Sequence, residues 1–202
     1  MIQLIRNVPR PLEYPILRRM FAARKAVFVD LLGWDVPVVD GRFELDEFDD
    51  GHARYLIVTD AAGAHRASAR LLPTTRPHLL GTLFPGLCAD APPTGPAIFE
   101  ITRFCLDRSL DARARRTARD ALVVALVDHA LANGIAHYTA IAGRGWSRQI
   151  LAFGWRCRPL GPVQAIGGEQ ITALEIAIEP DTRALLAATG IVGADVPVAV
   201  AA

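Results

Sequence analysis

A short acidic segment, "GRFELDEFDD" (residues 41–50), places carboxylates among large apolar side chains. Its acids are Glu44, Asp46, Glu47, Asp49 and Asp50, and the apolar residues between them are Phe43, Leu45 and Phe48. In an extended segment successive side chains point to opposite faces, so Glu44 and Asp46 share a face from which Leu45 is turned away. One face can then be buried while the other presents carboxylates to a pocket. The alternative for this composition is a solvated acidic turn.

Three arginines stand where a charged side chain needs a partner. Arg24 lies on a predicted helix before the acidic segment, Arg70 lies within "SARLL", and Arg103 lies in "FEITRF" close to Glu100. Arginine is seldom buried in a strand unless a carboxylate pairs with it. We therefore predict one cluster of these arginines with four acids, Glu44, Asp46, Asp49 and Glu100. Its formal balance of 4 − 3 leaves one excess negative charge, which suits a ligand of net charge +1.

Hydrophobic periodicity predicts strands and helices that can position these residues. The predicted elements are a strand at 2–6, a helix at 12–28, a loop at 29–50, strands at 55–60, 67–74 and 97–107, a helix at 111–134, a strand at 137–142, a short helix at 144–154 and a strand at 171–180. The long helix has Asp111 as its N-cap and Gly134 as its stop. Residues 76–96 are expected to be irregular and the apolar tail to be frayed. This order predicts one α/β domain over residues 1–202, with helices on both faces of a mixed sheet in three layers.

The composition is that of an ordinary globular chain. It has 202 residues, 51% of them hydrophobic, and a net charge of +1, which gives no support to binding of nucleic acid or a membrane surface. The three cysteines have no CxxC spacing and indicate free thiols in a reducing compartment. No apolar signal region begins the chain, and its most apolar run, 121–132, is too short to span a bilayer. We therefore expect a cytoplasmic protein.

Other common chemistries lack their sequence signals. The five histidines show no metal-ligand spacing, so no metal site is expected. The serines lack the flanking glycines of a nucleophile elbow, which argues against a hydrolase.

Three blocks of the chain resemble a known family. "RKAVFVDLLGWDVPVVDGRFELDEFDD", "ARLLPTT" and "FEITRFCLD" are similar, in this order and spacing, to the signature blocks of the N-acyl-homoserine-lactone synthases, which make quorum-sensing autoinducers. "GTLFPGL" and the overall length also fit, so the resemblance covers nearly the whole chain. The matching positions are Arg24, Phe28, Trp34, Glu44, Asp46, Asp49, Arg70, Glu100 and Arg103.

The resemblance implies an N-acetyltransferase-like fold, expected to act as a monomer, and two substrates with no further cofactor. These substrates are S-adenosylmethionine and an acyl thioester of acyl carrier protein or coenzyme A. S-adenosylmethionine carries a sulfonium, an ammonium and a carboxylate, 2 − 1 = +1, which matches the charge expected of the ligand. The implied S-adenosylmethionine site comprises Arg24, Phe28, Trp34, Asp46, Arg70, Arg103 and Phe104, although core packing is an alternative role for the aromatic residues.

The implied catalytic residues are Glu44, Asp46, Asp49, Glu100 and Arg103. Glu100 is expected to accept a proton from the substrate amine, directly or through a water. Its alternative role is that of a structural partner for Arg103.

The implied acyl pocket comprises Thr102, Thr139, Ile141 and Ala142. The family's 3-oxo producers often carry a threonine hydroxyl in this strand, and alignment places Ala142 at that position. Thr139 is three residues away, so in a regular strand it faces the opposite side. These expectations predict an acyl chain that is unsubstituted or 3-hydroxylated, the latter if Thr102 reaches position 3.

Arginines crowd the first turns of the long helix. Arg113, Arg115, Arg116 and Arg119 lie at the positive end of its dipole, where cations call for a compensating anion. The phosphate of a phosphopantetheine arm or the acidic face of an acyl carrier protein would supply one. Arg144 and Arg148, which lie one helical turn apart from each other, are expected to extend the patch. A solvated basic face is the alternative.

Two other functions compete with this one. An ordinary acetyl-CoA N-acetyltransferase usually has a glycine-rich phosphate loop before this helix, whereas "LDRSLDARARRTA" contains no glycine. A noncatalytic cation-binding module would explain the acids but not Glu100 and Arg103. Release of methylthioadenosine would distinguish the synthase from both.

Overall fold

The computed structural model describes residues 1–193 and 198–201, which form two compact units. The first unit comprises Met1–Leu71, Arg103–Ala125 and the described residues from Gly193 onward, and the second comprises Leu72–Thr102 and Leu126–Val192. The single domain inferred over residues 1–202 stays a prediction.

Five α-helices and eleven strands are formed by the described residues. The helices are α1 (Pro15–Arg24), α2 (Leu79–Thr82), α3 (Ala112–Asn133), α4 (Arg144–Leu151) and α5 (Thr182–Ala188). The strands are β1 (Ile2–Arg6), β2 (Val38–Val39), β3 (Phe43–Glu44), β4 (Arg54–Thr59), β5 (His65–Pro73), β6 (Ile98–Leu106), β7 (His137–Gly143), β8 (Arg156–Pro159), β9 (Gln164–Ile166), β10 (Glu169–Ala177) and β11 (Val198–Ala201). Short 3₁₀ turns at Pro11–Glu13 and Pro85–Leu87 and a π-helix at Lys25–Val29 complete the order.

In the first unit the strands pair in the order β11, β1, β4 and β5. β1 is parallel to β11 and antiparallel to β4, and β4 and β5 form an antiparallel hairpin. The expected fraying of the tail does not extend to Val198–Ala201, because these residues pair with β1. Residues 194–197 and 202 of that tail lie outside the described residues.

Helix α1 buries one stripe of side chains, and this stripe includes the charged residue Arg24. Proline is favoured in the first turn, where its missing N–H has no helical partner, and Pro15 begins this helix. The buried residues Leu17, Met20, Phe21 and Arg24 follow the i, i+3, i+4, i+7 spacing of an apolar face. Arg24 therefore takes its guanidinium group into the interior, where it needs a partner. The observed helix, Pro15–Arg24, is shorter than the one predicted at 12–28, and it continues as the π-helix at Lys25–Val29.

In the second unit β6, β7, β10 and β8 pair in this order, and β9 also pairs with β10. β6 and β7 are parallel, with Glu100 opposite Thr139, whereas β10 is antiparallel to β7, β8 and β9. Parallel and antiparallel pairs thus occur together, as predicted for a mixed sheet.

The long helix α3 begins and ends at the predicted signals. The Asp111 carboxylate accepts a hydrogen bond from the backbone N–H of Ala114 at 2.8 Å, as an N-cap does. Gly134 follows the helix with φ of +65°, a left-handed conformation that glycine adopts without strain. Across residues 1–193 and 198–201, no helix is long and apolar enough to cross a membrane.

Short elements were not predicted. The predicted loop at 29–50 contains the β2–β3 ribbon, and the segment expected to be irregular contains α2. β8, β9 and α5 were also missed. Each has seven residues or fewer, so hydrophobic periodicity has too few repeats in them to give a signal.

Buried His65 should make the fold sensitive to mild acid. Burial lowers the pKa of His65 to about 4, although Asp107 favours the charged ring, and its Nε2 lies 2.9 Å from the Ser68 hydroxyl. An unfolded histidine titrates near pH 6.5, so between these values the unfolded chain binds a proton that the folded chain does not. Stability should therefore fall by about 2 kcal/mol from pH 7 to pH 5.

Urea unfolding at both pH values measures this loss. His65→Gln keeps a polar partner for Ser68 but cannot titrate, so its stability should change less over the same interval. An equal loss in the variant and the original chain would contradict a role for His65.

Candidate active site

Six charged side chains of the first unit form one buried network. The arginines come from three elements, α1, β5 and β6, and the acids come from β3 and the turn that follows it. Its members are Arg24, Glu44, Asp46, Asp49, Arg70 and Arg103. The cluster predicted from the sequence is thus present for all of its first-unit residues.

Arg24 is the most enclosed member, with 1% of its side chain exposed. Its Nη1 and Nη2 donate to the two oxygens of Asp49 at 2.8 and 2.9 Å, and its Nε donates to Glu44. Burial disfavours the charge, but Asp49 and Glu44 together raise the pKa of Arg24 above its ordinary value. Arg24 therefore stays protonated and links α1 to the acidic segment at residues 41–50.

Asp49 is shared between two arginines and a tyrosine. Its Oδ2 lies 2.9 Å from Nη1 of Arg70, and its Oδ1 accepts a hydrogen bond from the Tyr55 hydroxyl at 3.0 Å. Burial opposes ionisation, yet Arg24 and Arg70 hold the pKa of Asp49 well below its usual range. Burial and the Asp49 charge raise the pKa of Tyr55, so Tyr55 stays a neutral donor.

Arg103 completes the network in a strained conformation. Its Nε donates to Glu44 at 3.0 Å and its Nη2 to Asp46 at 2.8 Å. Its φ of +50° is rare for a residue other than glycine and costs on the order of 1–3 kcal/mol. Burial lowers the pKa of Arg103, but a guanidinium stays protonated under ordinary conditions. Because Glu44 and Asp46 both bind Arg103, they share a face as predicted.

An aromatic pair lies against the Arg103 guanidinium. Phe28 and Trp34 stack with their ring centroids 4.8 Å apart, and the guanidinium carbon lies 5.7 and 5.8 Å from the two rings. The π-helix carries Phe28, and the backbone N–H of Trp34 donates to the Phe28 carbonyl at 2.8 Å. Phe28 is buried, whereas Trp34 is 37% exposed and keeps ring surface open to a ligand.

The first-unit network is electrically neutral by itself. Three carboxylates face three guanidinium groups, so its formal balance is 3 − 3 = 0. The predicted excess of one negative charge required Glu100, which belongs to the second unit. Phe104, also predicted to bind S-adenosylmethionine, is half-buried on β6.

Glu100 is fully buried and is held by backbone amides of the second unit. Its Oε2 accepts a hydrogen bond from the N–H of Leu79 at 2.8 Å, and its Oε1 accepts one from Leu80 at 3.0 Å. These amides begin α2, so the carboxylate satisfies donors that a helix start leaves free. No sequence pattern predicts this contact, because α2 itself was not predicted.

The predicted acyl residues divide between the two faces of β7. Thr139 is paired with Glu100 across β6 and β7, and Thr102 and Ile141 lie on the same face by alternation. The Thr139 hydroxyl is buried and has no hydrogen-bond partner among the residues the structure describes. Ile141 packs against the apolar cluster that contains Leu80.

Ala142 lies on the face opposite Glu100, because it follows Ile141 in a regular strand. The prediction against a 3-oxo acyl chain rests on Ala142, which therefore shares the acyl pocket only if that pocket lies on the face opposite Glu100. The hydroxyls of Thr139 and Thr102 lie on the Glu100 face.

The predicted basic patch consists mainly of exposed side chains. Arg113 and Arg116 lie exposed in the first turns of α3, and Arg144 and Arg148 lie exposed on α4 of the second unit. Arg119 differs, because its guanidinium group binds Asp120 at 2.7 Å and is therefore already compensated. Within the described ranges, no group of three or more histidine, cysteine or acidic residues is arranged to hold a metal ion.

One member of the site was missed. Tyr55 is buried beside Asp49, and the sequence signal that could have found it is a tyrosine in an otherwise apolar strand, since a buried hydroxyl needs a partner.

Similarity to solved structures defines the class of the fold. A candidate N-acetyltransferase from Lactobacillus plantarum superposes with a TM-score of 0.55 at 16% identity, over 89% of this chain and 98% of that chain. At this identity only the fold is shared. The predicted N-acetyltransferase-like α/β fold with a mixed central sheet is thus confirmed.

The family is defined by closer matches. The family model described as autoinducer synthase matches residues 12–185. An acyl-homoserine-lactone synthase of Ralstonia nicotianae is 38% identical over 179 residues, which cover 86% of each chain. The chain therefore belongs to the autoinducer synthase family, as predicted. A solved structure described as the CoA-dependent acyl-homoserine lactone synthase BjaI, with S-adenosylmethionine and isopentyl-CoA, superposes with a TM-score of 0.83 at 27% identity, over 100% of this chain and 92% of that chain.

Proposed function

We propose that this protein transfers an acyl group from a thioester to the amine of S-adenosylmethionine and then closes the lactone ring. The products are an N-acyl-homoserine lactone, a free thiol and methylthioadenosine. The observation that carries the proposal is the buried network around Arg103, which lies against the Phe28–Trp34 pair in a chain of this family. S-adenosylmethionine and the thioester serve as substrates, without a further cofactor.

The network is suited to orient a substrate that carries both charges. Its balanced, buried ion pairs fix the Arg103 guanidinium, because Glu44 and Asp46 both bind it. A positioned guanidinium recognises a carboxylate, and aromatic faces attract a cation such as a sulfonium. We assign the first role to Arg103 and the second to Phe28 and Trp34, while Arg24, Arg70 and Asp49 hold the framework.

Acyl transfer requires a deprotonated amine. An α-amino group has a pKa of about 8, so a carboxylate base can assist its deprotonation near neutral pH. We assign this role to Glu100, which receives the proton as the nitrogen attacks the thioester carbon and the thiolate leaves.

Ring closure follows within one molecule. The carboxylate oxygen of the acylated intermediate attacks its own γ-carbon, and the bond from that carbon to sulfur breaks to release methylthioadenosine. This step depends mainly on holding the two atoms close, since a sulfonium is already a good leaving group.

Mass spectrometry of organic extracts from cells that express the chain tests the proposal without assuming an acyl donor. We expect N-acyl-homoserine lactones that are absent from cells with an empty vector. With purified protein, S-adenosylmethionine and an acyl-CoA series, methylthioadenosine should appear in equal amount to the lactone. Acylated product without methylthioadenosine would instead indicate an ordinary N-acyltransferase, and binding without turnover would indicate a noncatalytic module.

The basic patch should affect the acyl donor rather than S-adenosylmethionine. Reversal of Arg116 and Arg148 to Glu should raise KM for the thioester and leave the affinity for S-adenosylmethionine unchanged. The reason is that exposed cations attract an anionic donor, such as the phosphates of CoA or an acidic carrier protein. The effect should weaken with salt, which screens exposed charges.

Initial rates at low and high salt measure this difference for both acyl carrier protein and CoA thioesters. Arg10→Glu is a matched control, because Arg10 is exposed on a different part of the chain and pairs only weakly with Glu13 at 3.3 Å. Equal KM values in the reversed and original proteins would mean that these arginines are a solvated face.

A further inference from the structure

His78 lies directly before the two amides that bind Glu100, and its ring is fixed in the interior. The side chain is 3% exposed. Its Nδ1 lies 2.8 Å from the backbone carbonyl of Arg76. A carbonyl only accepts hydrogen bonds, so Nδ1 must carry the proton that is shared with it. In the neutral ring Nε2 is then an acceptor, and it has no partner within residues 1–193 and 198–201.

Gly81 gives the ring its space. A Cβ atom at position 81 would lie 2.6 Å from Cε1 and 2.8 Å from Nε2 of His78, which is shorter than real side-chain contacts allow. The ring therefore packs against the backbone of α2 itself. Together, the Nδ1–H bond to Arg76 and the fit against Gly81 fix His78, the residue directly before this helix.

The orientation of α2 contributes to where Glu100 points. The helix has only four residues, so it has little regular hydrogen bonding of its own to fix it. Its Leu79 and Leu80 amides bind the two oxygens of Glu100 separately, at 2.8 and 3.0 Å. A rotation of α2 would therefore turn or release the carboxylate.

We propose that His78, seated against Gly81, is a positioning residue that aims the Glu100 carboxylate through the α2 amides. The assignment of a catalytic effect rests on the proposed function, whereas the structural coupling of His78 to Glu100 does not. The imidazole contributes a fixed Nδ1–H donor and leaves Nε2 a buried acceptor without a hydrogen bond among the described residues.

Substitutions at position 78 separate the donor from the ring. His78→Ala should lower kcat about ten- to a hundredfold with little change in KM for S-adenosylmethionine, because misplaced catalytic groups lose rate rather than binding. His78→Asn keeps an N–H near the position of Nδ1 and should recover most of that rate. His78→Phe keeps the ring without the donor and should remain slow.

Gly81→Ala tests the fit between the ring and the helix. It should lower kcat when His78 is present, because the new methyl group displaces the ring. In the His78→Asn background the same change should have a much smaller effect, since the smaller side chain leaves room. Additive losses in the double variant would contradict the packing part of the proposal.

Dependence on Glu100 is the decisive test. In the Glu100→Gln background, His78→Ala should cause no further loss of kcat, because its effect acts through that carboxylate. A full additional loss in this background would overturn the proposal, as would an unchanged kcat in His78→Ala itself.

A second measurement does not depend on activity. Amide proton and nitrogen shifts of Leu79 and Leu80 report their hydrogen bonds to Glu100, and they should move in His78→Ala and return in His78→Asn. Unchanged shifts would refute the structural coupling. If the original chain makes no lactone but the shifts respond as expected, the proposed function fails while the coupling of His78 to Glu100 stands.

Discussion

Asp49→Asn should lower the free energy of unfolding by about 3–5 kcal/mol, the usual cost of removing one partner from a buried ion pair. The Asp49 side chain is fully enclosed and binds Arg24 through both oxygens, Arg70 through one and Tyr55 through the other. An amide of the same shape can keep part of these bonds only by turning a donor toward a guanidinium group. Two buried cations would then lack their shared anion.

Acid should reduce the difference between the two proteins. The folded pKa of Asp49 is held below its usual range, so its stabilising effect is complete above the unfolded value near 3.9 and is lost as the pH falls through the folded value. The difference in unfolding free energy should therefore be largest near pH 7 and shrink in strong acid.

Urea titrations at several pH values measure both effects. Glu47→Gln is the matched control, since it makes the same chemical change in the same turn at an exposed side chain, and it should cost less than about 0.5 kcal/mol. Equal losses in the two variants would show that the ion pairs of Asp49 do not stabilise the fold.

Removal of a buried acid is expected to destabilise the fold, so loss of activity in other acid variants does not by itself show contact with substrate. Glu44 is also fully buried and lies between Arg24 and Arg103, so Glu44→Gln should destabilise the fold as well as reduce lactone synthesis. Such a variant is therefore not expected to leave the fold unaffected. Loss of activity at Glu44 supports substrate contact only when the variant is shown to be folded.

Glu100→Gln should lower kcat about 10²- to 10⁴-fold, the usual contribution of a general base. The glutamine cannot accept a proton from the amine. Its NH₂ group would also face one of the α2 amides, which is itself a donor, so one of the two hydrogen bonds would be lost. The catalytic and structural consequences must therefore be measured separately.

Single-turnover acyl transfer, together with urea unfolding, makes that separation. Glu175→Gln is a suitable control. Thr139 on β7 is paired with Glu100 on one neighbouring strand and with Glu175 on the other, so Glu175 lies on the same face of the sheet as Glu100. This variant should retain nearly full acyl transfer. Normal rates in a folded Glu100→Gln protein would leave Glu100 with only its structural role at the start of α2.

Local sequence patterns were sufficient to predict the long regular elements and the family. Asp111 and Gly134 gave the ends of α3 to within a residue, because capping is a local interaction between a side chain or a φ angle and the adjacent helix. Arg24 could be assigned to a buried position, since it continues the apolar spacing of α1. An interior arginine requires an anion, so its pairing with the acidic segment was also predictable.

The contacts between side chains distant in sequence, and their orientations, could not be predicted in the same way. The contact of Glu100 with the α2 amides joins residues twenty or more positions apart through backbone atoms, which carry no sequence signal. The left-handed φ of Arg103 and the placement of Ala142 on the opposite face from Glu100 depend on strand geometry at a single residue. A shift of one position exchanges the faces of a strand, so periodicity can identify β7 but cannot select which of its side chains lies beside the carboxylate.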